Sequence, residues 1–503
     1  MITANSSPHL MLSDLVRGIA DTTAFTNQEI FGLCLDSRSV VQGDCFVAVN
    51  GAKSNGANFA QAAIAAGAAA VLVEENEIPI ATHVPVVCVP QLRRVLGEMA
   101  SRFFGDPSHH LDVIAVTGTN GKTTITQLCA QALKRIRGDS GYAGTLGYGH
   151  IDELQTANNT TPDPITLQRF FRQLCDRHCG SVAIEVSSHA IVQSRVVGTA
   201  IKVAVFSNLG HDHLDYHGDL ASYAEAKKSL FEYPGIQHAV LNIDDPVGRE
   251  LLSRRHSKIN YWTYGLAAPT GVGAVDRHFR VSDRVADGRN ERLTIATPQG
   301  EVEIVTSLLG DFNALNLSAA LAALMALGIN AHDAASGLTE LPGVIGRMQR
   351  LDPGDDHSPM IVIDYAHTPE GLARVLNVLR EKTSGELICV FGCGGERDPT
   401  KRPPMGRAAE DGADRVIVTS DNPRGENNDD IAAAILSETR SPKAIEVIHD
   451  RGAAIKRAIG RASATDLVLI AGKGHEIFQE VRGTFHSFSD ACVARQALQE
   501  RGA

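Results

Sequence analysis

Leu111-Asp112-Val113-Ile114-Ala115-Val116 runs without a break into Thr117-Gly118-Thr119-Asn120-Gly121-Lys122-Thr123-Thr124. The apolar run has the length and β-branched content of a buried strand, glycines punctuate the turn, and the segment beyond Lys122 is helix-forming. Strand, tight turn and helix in that order open a parallel βαβ unit. At such a turn the backbone amides and the positive end of the helix converge on phosphate oxygens. Lys122 adds a point charge, and the Thr123 hydroxyl can reach Mg²⁺. The turn reads as a phosphate-binding loop for ATP, with Gly118, Thr119, Asn120, Gly121, Lys122, Thr123 and Thr124 as contacts. It is shorter than the general P-loop: Gly118 and Gly121 enclose two residues where that pattern has four, and position 116 is a valine.

Further strand-like runs follow at 182–186, 203–207 and 239–243, separated by helical stretches, which predicts a mostly parallel central sheet covered on both faces. From about Leu341 the pattern restarts, with runs at 360–364, 387–392, 415–420, 445–449 and 466–471, a Rossmann-like doubly wound sheet. Ahead of the loop lie a strand-like run at 44–49, an Ala-rich helical stretch at 58–70 leading into 71–73, and a helix over 91–104 that Gly105-Asp106-Pro107 stops. The expectation is an α/β protein of three domains, 1–108, 109–341 and 342–503, with a central P-loop-type sheet. Ligands of open α/β sheets sit at the carboxyl ends of strands, where nearly every polar motif of this chain falls.

The formal charge of −11 argues against sequence-independent nucleic-acid binding, so an anionic substrate must be met by a local cluster of Arg and Lys. The longest apolar run, 62–73, is far shorter than the roughly 20 residues of a membrane-spanning helix. No basic start with an apolar stretch and small-residue cleavage site appears. A cytoplasmic protein without membrane insertion is expected. Nine scattered cysteines without paired metal spacing suit reduced core thiols.

The shortened loop, Asp36-Ser37-Arg38, Thr160-Thr161-Pro162, Glu185-Val186-Ser187-Ser188-His189, the stretches Asn208 to His217 and Gly310 to Asn316, and Asp364-Tyr365-Ala366-His367 follow one another in order. Together they resemble the motifs of the Mur ligases and the related folylpolyglutamate synthetases, which activate carboxylates with ATP. The resemblance covers essentially the whole chain. It implies an ATP-dependent, ADP-producing carboxylate–amine ligase of peptidoglycan synthesis, with Lys122, Lys227 and Arg347 as catalytic residues. It implies Asn313 and His367 toward adenine, Asp364 toward ribose, and Mg²⁺ held by Thr123, Glu185, His213 and a carbamylated Lys227. Carbamylation needs a lysine that can lose its proton, so burial or nearby cations must lower its pKa. Lys228 is adjacent, but the Ala-Lys spacing after Tyr223 selects Lys227. Read alone, the His- and Asp-rich stretch from Asn208 could be a zinc site; ATP chemistry and the lack of cysteine within it favour Mg²⁺.

By the same resemblance Leu35, Ser37, Ala52, Lys53, Ser54, Asn159, Thr160, Thr161, Ser187, Gln193 and Arg195 bind UDP-N-acetylmuramoyl-L-alanyl-D-glutamate, the first five at its uridine nucleotide. Arg397, Asp421, Asn422, Pro423, Arg424, Gly472 and Glu476 match the site of meso-2,6-diaminopimelate; Glu396 stands where Asp is commoner. Diaminopimelate differs from lysine by a second carboxylate, which the planar fork of Arg424 can grip bidentately. A lysine-adding relative is the nearest rival, and Arg424 argues against it. A folylpolyglutamate synthetase has no use for the domain before Ser108. A non-ligating ATP-dependent switch would use the same loop without the site around Arg424. A monomer is expected.

Overall fold

The structure, a computed structural model, describes residues 8–21, 27–51, 55–74, 83–157, 159–266, 277–287, 290–351 and 357–502. Ala52, Lys53 and Ser54, expected at the uridine nucleotide, lie outside these residues. By internal contacts the chain forms two compact units, residues 1–282 with 295–302 and 315–338, and residues 283–294 with 303–314 and 339–503. No helix among the described residues is long and apolar enough to cross a membrane. The nine cysteines are free thiols, five of them buried and Cys492 exposed.

The larger sheet of the first unit is built around the strand Asp112–Thr117. Ser181–Glu185 pairs with it on one side and Val203–Phe206 on the other, both parallel. Gly141–Gly144 lies beyond the former, and His238–Asn242 and Asn260–Gly265 beyond the latter. Helices such as Lys122–Arg137 and Pro164–Asp176 cover the sheet, so its central strands are apolar throughout instead of alternating: Val113 to Val116 and Val203 to Phe206 are wholly buried. The register sets Glu185 opposite Val116 and Phe206 opposite Thr117. Glu185, Gly118 and Ser207 therefore emerge together at the carboxyl edge.

The expected strands fall within a residue or so of the observed ones. An antiparallel extension was not expected: Gly141–Gly144, Gly147–His150 and Glu153–Gln155 meander at the sheet's edge. Two of its glycines serve close packing. A Cβ on Gly141 would stand 2.4 Å from Leu174 Cδ1, and one on Gly144 would stand 2.2 Å from Glu185 Oε1.

A separate four-stranded parallel sheet precedes the loop, in the order Gly32–Cys34, Asp44–Ala48, Ala70–Val73, Val86–Cys88. The helix expected over 58–70 is a 3₁₀ turn, Gly56–Phe59, continued by the short α-helix Ala60–Ala65, because Gly67 takes φ 108° and redirects the chain into the next strand. The helix Leu92–Phe103 packs on Pro164–Asp176, and Gly97 comes so close to the loop at 193–202 that a Cβ there would meet Val197 O at 2.0 Å.

The second unit holds a six-stranded sheet in the order Gln349–Leu351, Met360–Asp364, Leu467–Ala471, Leu387–Phe391, Arg415–Val418, Glu446–Val447, parallel except at its first strand. The strand expected over 445–449 shrinks to Glu446–Val447 at the sheet's edge. Both faces are covered. Leu387, Cys389 and Phe391 pack in one apolar cluster with Leu372, Leu376 and Met405, whereas Ile388 and Val390 pack in another with Ile455, Ile459 and Ala494.

Candidate active site

Backbone geometry fixes the loop at the end of Asp112–Thr117. Gly118 has φ 142°, and a Cβ there would sit 1.9 Å from Ser207 Oγ; Gly121, at φ 86°, caps the helix Lys122–Arg137. The next strand end clamps the turn. Ser207 Oγ donates to Asn120 O at 2.6 Å, Thr119 N donates to Asn208 O at 2.7 Å, and Asn120 N donates to Asn208 Oδ1 at 3.0 Å. The helix Lys122–Arg137 thus starts directly from a turn held rigid by the neighbouring strand end.

Two lysines share one acceptor here. Lys122 Nζ donates to Gly118 O at 2.9 Å and to Thr119 O at 2.8 Å, while Lys227 Nζ, on the helix Leu220–Lys228, donates to Gly118 O at 2.7 Å. Lys227 is 1% exposed and lies over the Tyr223 ring at 4.3 Å. Burial, and then the charge of Lys122, push its pKa well below the usual lysine value. Lys228 is different. Burial opposes its charge, but the Glu225 and Glu250 carboxylates outweigh this and raise its pKa. The geometry therefore gives the two adjacent lysines opposite chemistry: one is suited to lose a proton and the other is a fixed cation.

Glu185 ends its strand wholly buried, and four donors hold it. Tyr142 OH (2.7 Å) and Thr145 N (2.8 Å) donate to Oε1; Thr123 Oγ1 (3.0 Å) and Thr145 Oγ1 (3.1 Å) donate to Oε2. A hydroxyl and a carboxylate converging beside a phosphate loop form a hard-oxygen donor set, which fits Mg²⁺ better than a soft metal. His213 is half-exposed, with Nε2 3.4 Å from Asp212 Oδ2 and its ring edge-on to His189 at 4.8 Å. Among the described residues no group of three or more His, Cys, Asp or Glu gathers as a metal cluster.

The residues expected on the muramoyl side adjoin Glu185. Thr161 Oγ1 donates to Glu185 O at 2.8 Å and accepts from Ser187 N at 3.1 Å, and Arg195 Nη1 donates to Thr161 O at 2.7 Å. Gln193 Oε1 accepts from Arg195 Nε and Nη2 at 3.1 and 2.7 Å. Thr160 accepts from Thr145 at 3.4 Å, Asn159 is exposed, and Ser187 caps the short helix Ser188–Val192. In the N-terminal sheet Leu35 packs on the apolar cluster, and Ser37 opens a 3₁₀ turn capped by Asp36.

The second unit carries the remaining residues. Asp364 ends Met360–Asp364 and accepts from Met348 N and Ala366 N, both at 2.7 Å. Burial raises its carboxyl pKa against the pull of Arg347, whose guanidinium stacks 4.4 Å over Tyr365. His367 Nδ1 lies 2.8 Å from Tyr365 O, and the buried Asn313 Nδ2 donates to Leu309 O at 2.9 Å.

Beyond the strand Arg415–Val418, Arg424 adopts φ 50° and is gripped on both backbone sides by the hairpin Phe478–Ser487: its N–H donates to Glu480 O and its carbonyl accepts from Arg482 N. Its guanidinium is ion-paired through Nε with Glu480 Oε2 at 3.0 Å, and Nη1 donates to Gly395 O at 2.7 Å. Asn422 Nδ2 donates to Glu476 Oε2 at 2.8 Å. Gly472 has φ 108°, and a Cβ there would meet Asp421 Oδ2 at 2.8 Å. Pro423 is buried beside Gly395, whose Cβ would stand 2.0 Å from Pro423 O, and Arg397 is exposed on the loop after Leu387–Phe391. Sequence reasoning overlooked Tyr142, Thr145, Ser207, Lys473 and Glu480, which hold the named residues. Only Lys473 had a visible signal, a cation inside a motif otherwise read for its neighbours.

Three family models match the chain: Mur ligase family, catalytic domain, over residues 29–104; Mur ligase middle domain, over residues 116–324; and Mur ligase, glutamate ligase domain, over residues 346–474. A UDP-N-acetylmuramoyl-L-alanyl-D-glutamate--2,6-diaminopimelate ligase of Pseudomonas putida is 44% identical over 476 residues, 93% of this chain and 94% of that protein. A protein of the same description in Xanthomonas oryzae pv. oryzae is 47% identical over 476 residues, 94% of each. A solved structure of a ligase so described matches with TM-score 0.71 at 36% identity, covering 98% of this chain and 99% of that one. A MurF of Acinetobacter baumannii shares the fold, with TM-score 0.66 at 18% identity over 97% and 98% of the two chains.

Proposed function

The chain belongs to the Mur ligase family, and from that membership we propose that it joins meso-2,6-diaminopimelate to UDP-N-acetylmuramoyl-L-alanyl-D-glutamate at the expense of ATP. The observation that carries the choice of amino acid is Arg424. A guanidinium held by Glu480 and Gly395 beside Asn422 and Glu476 suits a ligand with carboxylate and ammonium at both ends. Likeness to diaminopimelate-adding ligases over more than nine-tenths of the chain supports it.

A γ-carboxylate oxygen of the D-glutamate attacks the γ-phosphorus of ATP, and the bond to ADP breaks. The diaminopimelate amine then attacks the acyl carbon of the resulting acyl phosphate; phosphate leaves and the amine loses a proton. Carboxylate attack on a polyanion is electrostatically unfavourable, so the chain's work is charge compensation and positioning. Lys122 and the loop amides Gly118 to Thr124 take the phosphates, with Arg347 at the transferred group, Asp364 at ribose, and Asn313 and His367 at adenine. Thr160, Thr161, Ser187, Gln193, Arg195 and Asn159 orient the dipeptide, and Leu35 and Ser37 take the nucleotide end. Arg397, Asp421, Asn422, Pro423, Arg424, Gly472 and Glu476 hold diaminopimelate.

Thr123, Glu185, His213 and Lys227 as its carbamate would hold Mg²⁺, which supplies positive charge against the phosphates when bound. The carbamate forms when the neutral Lys227 amine attacks CO₂, making an N–C bond and releasing a proton. The two lysines on one carbonyl favour this, since converting one cation to an anion removes their repulsion. We assign residues 1–108, 109–341 and 342–503 to nucleotide, ATP and amino-acid binding, and the protein to the cytoplasm as a monomer.

Product analysis tests the reading. With ATP, Mg²⁺, the UDP-muramoyl dipeptide and meso-diaminopimelate, mass spectrometry should find the dipeptide enlarged by one diaminopimelate residue. ATP turnover without that product would return the switch reading.

A further inference from the structure

Lys473 is 0% exposed, yet it carries a charge that the assigned chemistry does not use. Its Nζ donates to Glu476 Oε2 at 2.7 Å and to Asn422 Oδ1 at 3.0 Å. Asn422 Oδ1 also accepts from Glu480 N at 2.9 Å, and Asn422 Nδ2 donates to the same Glu476 oxygen at 2.8 Å. The amide of Asn422 thus has one orientation that satisfies all its neighbours: oxygen toward two donors, nitrogen toward a carboxylate. Glu476 Oε2 likewise accepts from both Lys473 and Asn422, which fixes the carboxylate. Burying an ammonium is unfavourable unless it is paired and hydrogen-bonded, and a methionine would fill the same space without that penalty. Both partners of this ammonium are residues of the amino-acid site. Glu480, which fixes the far side of Asn422, is also the carboxylate that holds Arg424. One chain of contacts therefore links the two charged ends of the pocket.

We infer that Lys473 is a positioning residue for the incoming amino acid: it sets the Asn422 amide and the Glu476 carboxylate so that Glu476 receives an ammonium group of the diamino acid while Arg424 receives a carboxylate. The inference rests on the ligase reading. Lys473 touches no reacting atom in this scheme.

The test is steady-state phosphate release by full-length wild type, Lys473→Met, Glu476→Gln and the double variant. Diaminopimelate and ATP are varied separately. Removing a hydrogen bond to a charged group should raise KM for diaminopimelate about tenfold or more in Lys473→Met, with KM for ATP unchanged. The double variant should lose much less than the product of the two single effects, because each single change breaks the same pair. An unchanged KM for diaminopimelate, equal rises for both substrates, or multiplicative effects would overturn the inference. If Lys473→Met does not fold, Lys473→Gln keeps a donor to Asn422 and takes its place; if that too fails to fold, Lys473 is a core residue and the inference is overturned. Wild type without diaminopimelate-dependent release would instead sink the ligase reading itself.

Discussion

Arg424 and Lys227 show what single side chains owe to their surroundings. Arg424 occupies a positive-φ turn only because the hairpin at Phe478–Ser487 pairs with its backbone, and Glu480 then aims the guanidinium. Lysine in its place would keep a charge but lose the planar fork. Arg424→Lys should raise KM for diaminopimelate about 10- to 100-fold with little change in KM for ATP, measured as phosphate release at varied amino acid. For Lys227, burial and the neighbouring Lys122 lower the pKa, so a neutral amine is available nearer neutral pH than for a surface lysine. At fixed dissolved CO₂, carbamate should therefore grow as pH rises, most steeply below that depressed pKa and still upward above it, because carbamate formation itself releases a proton, until the site is fully modified. Carbon-13 NMR of the protein under labelled CO₂ should show a carbamate signal that Lys227→Met lacks. A signal unchanged in that variant would place the modification elsewhere. The sequence marked both residues through resemblance, but not the contacts that hold them. Neither Glu480, 56 residues from Arg424 in the chain, nor Gly118 O, shared by two lysines, is visible before the chain folds.

At the scale of elements, the strand–turn–helix at 112–137 was legible because its signals are local: a β-branched run, two glycines with positive φ, and a helix start. Gly118→Ala should be among the most damaging small changes, since its φ is unfavourable for alanine and its Cβ would meet Ser207 Oγ. The expected loss is about 1–3 kcal/mol of stability together with ATP affinity, read by denaturant unfolding and nucleotide titration. What stayed hidden in the sequence is the kind of element whose reason is tertiary. The antiparallel edge at 141–150 drew no reading from the sequence, and its Gly141 and Gly144 are explained by Leu174 and Glu185, which leave no room for a Cβ. The C-terminal helix Asp490–Gly502 is tied to its sheet by another non-local pair. Arg451 and Asp490 are both wholly buried, joined at 2.7 and 2.8 Å, and Arg451 also reaches Ala471 O at 2.9 Å. Asp490→Ala would leave Arg451 buried and unpaired. It should cost about 3–5 kcal/mol in urea unfolding, and a loss under 1 kcal/mol would contradict this account of the pair.

Across the whole molecule, charge explains the division of labour. The chain carries a net −11, so its field repels the nucleotide and nucleotide-sugar anions it is proposed to bind, and recognition falls to local cations and amides at strand ends. Both sheets present those ends. In the first unit they gather Lys122, Lys227, Glu185 and Arg195; in the second, Asp364, Asn422, Arg424 and Glu476. Such a division predicts a reaction that needs every substrate at once. The most direct measurement is phosphate release by the purified chain with ATP, Mg²⁺ and the UDP-muramoyl dipeptide, comparing meso-diaminopimelate with L-lysine. Release that requires the dipeptide and rises strongly with diaminopimelate, but not with lysine, is the predicted result. Equal or preferred use of lysine would contradict the role given to Arg424, and release indifferent to both amino acids would contradict the ligase itself.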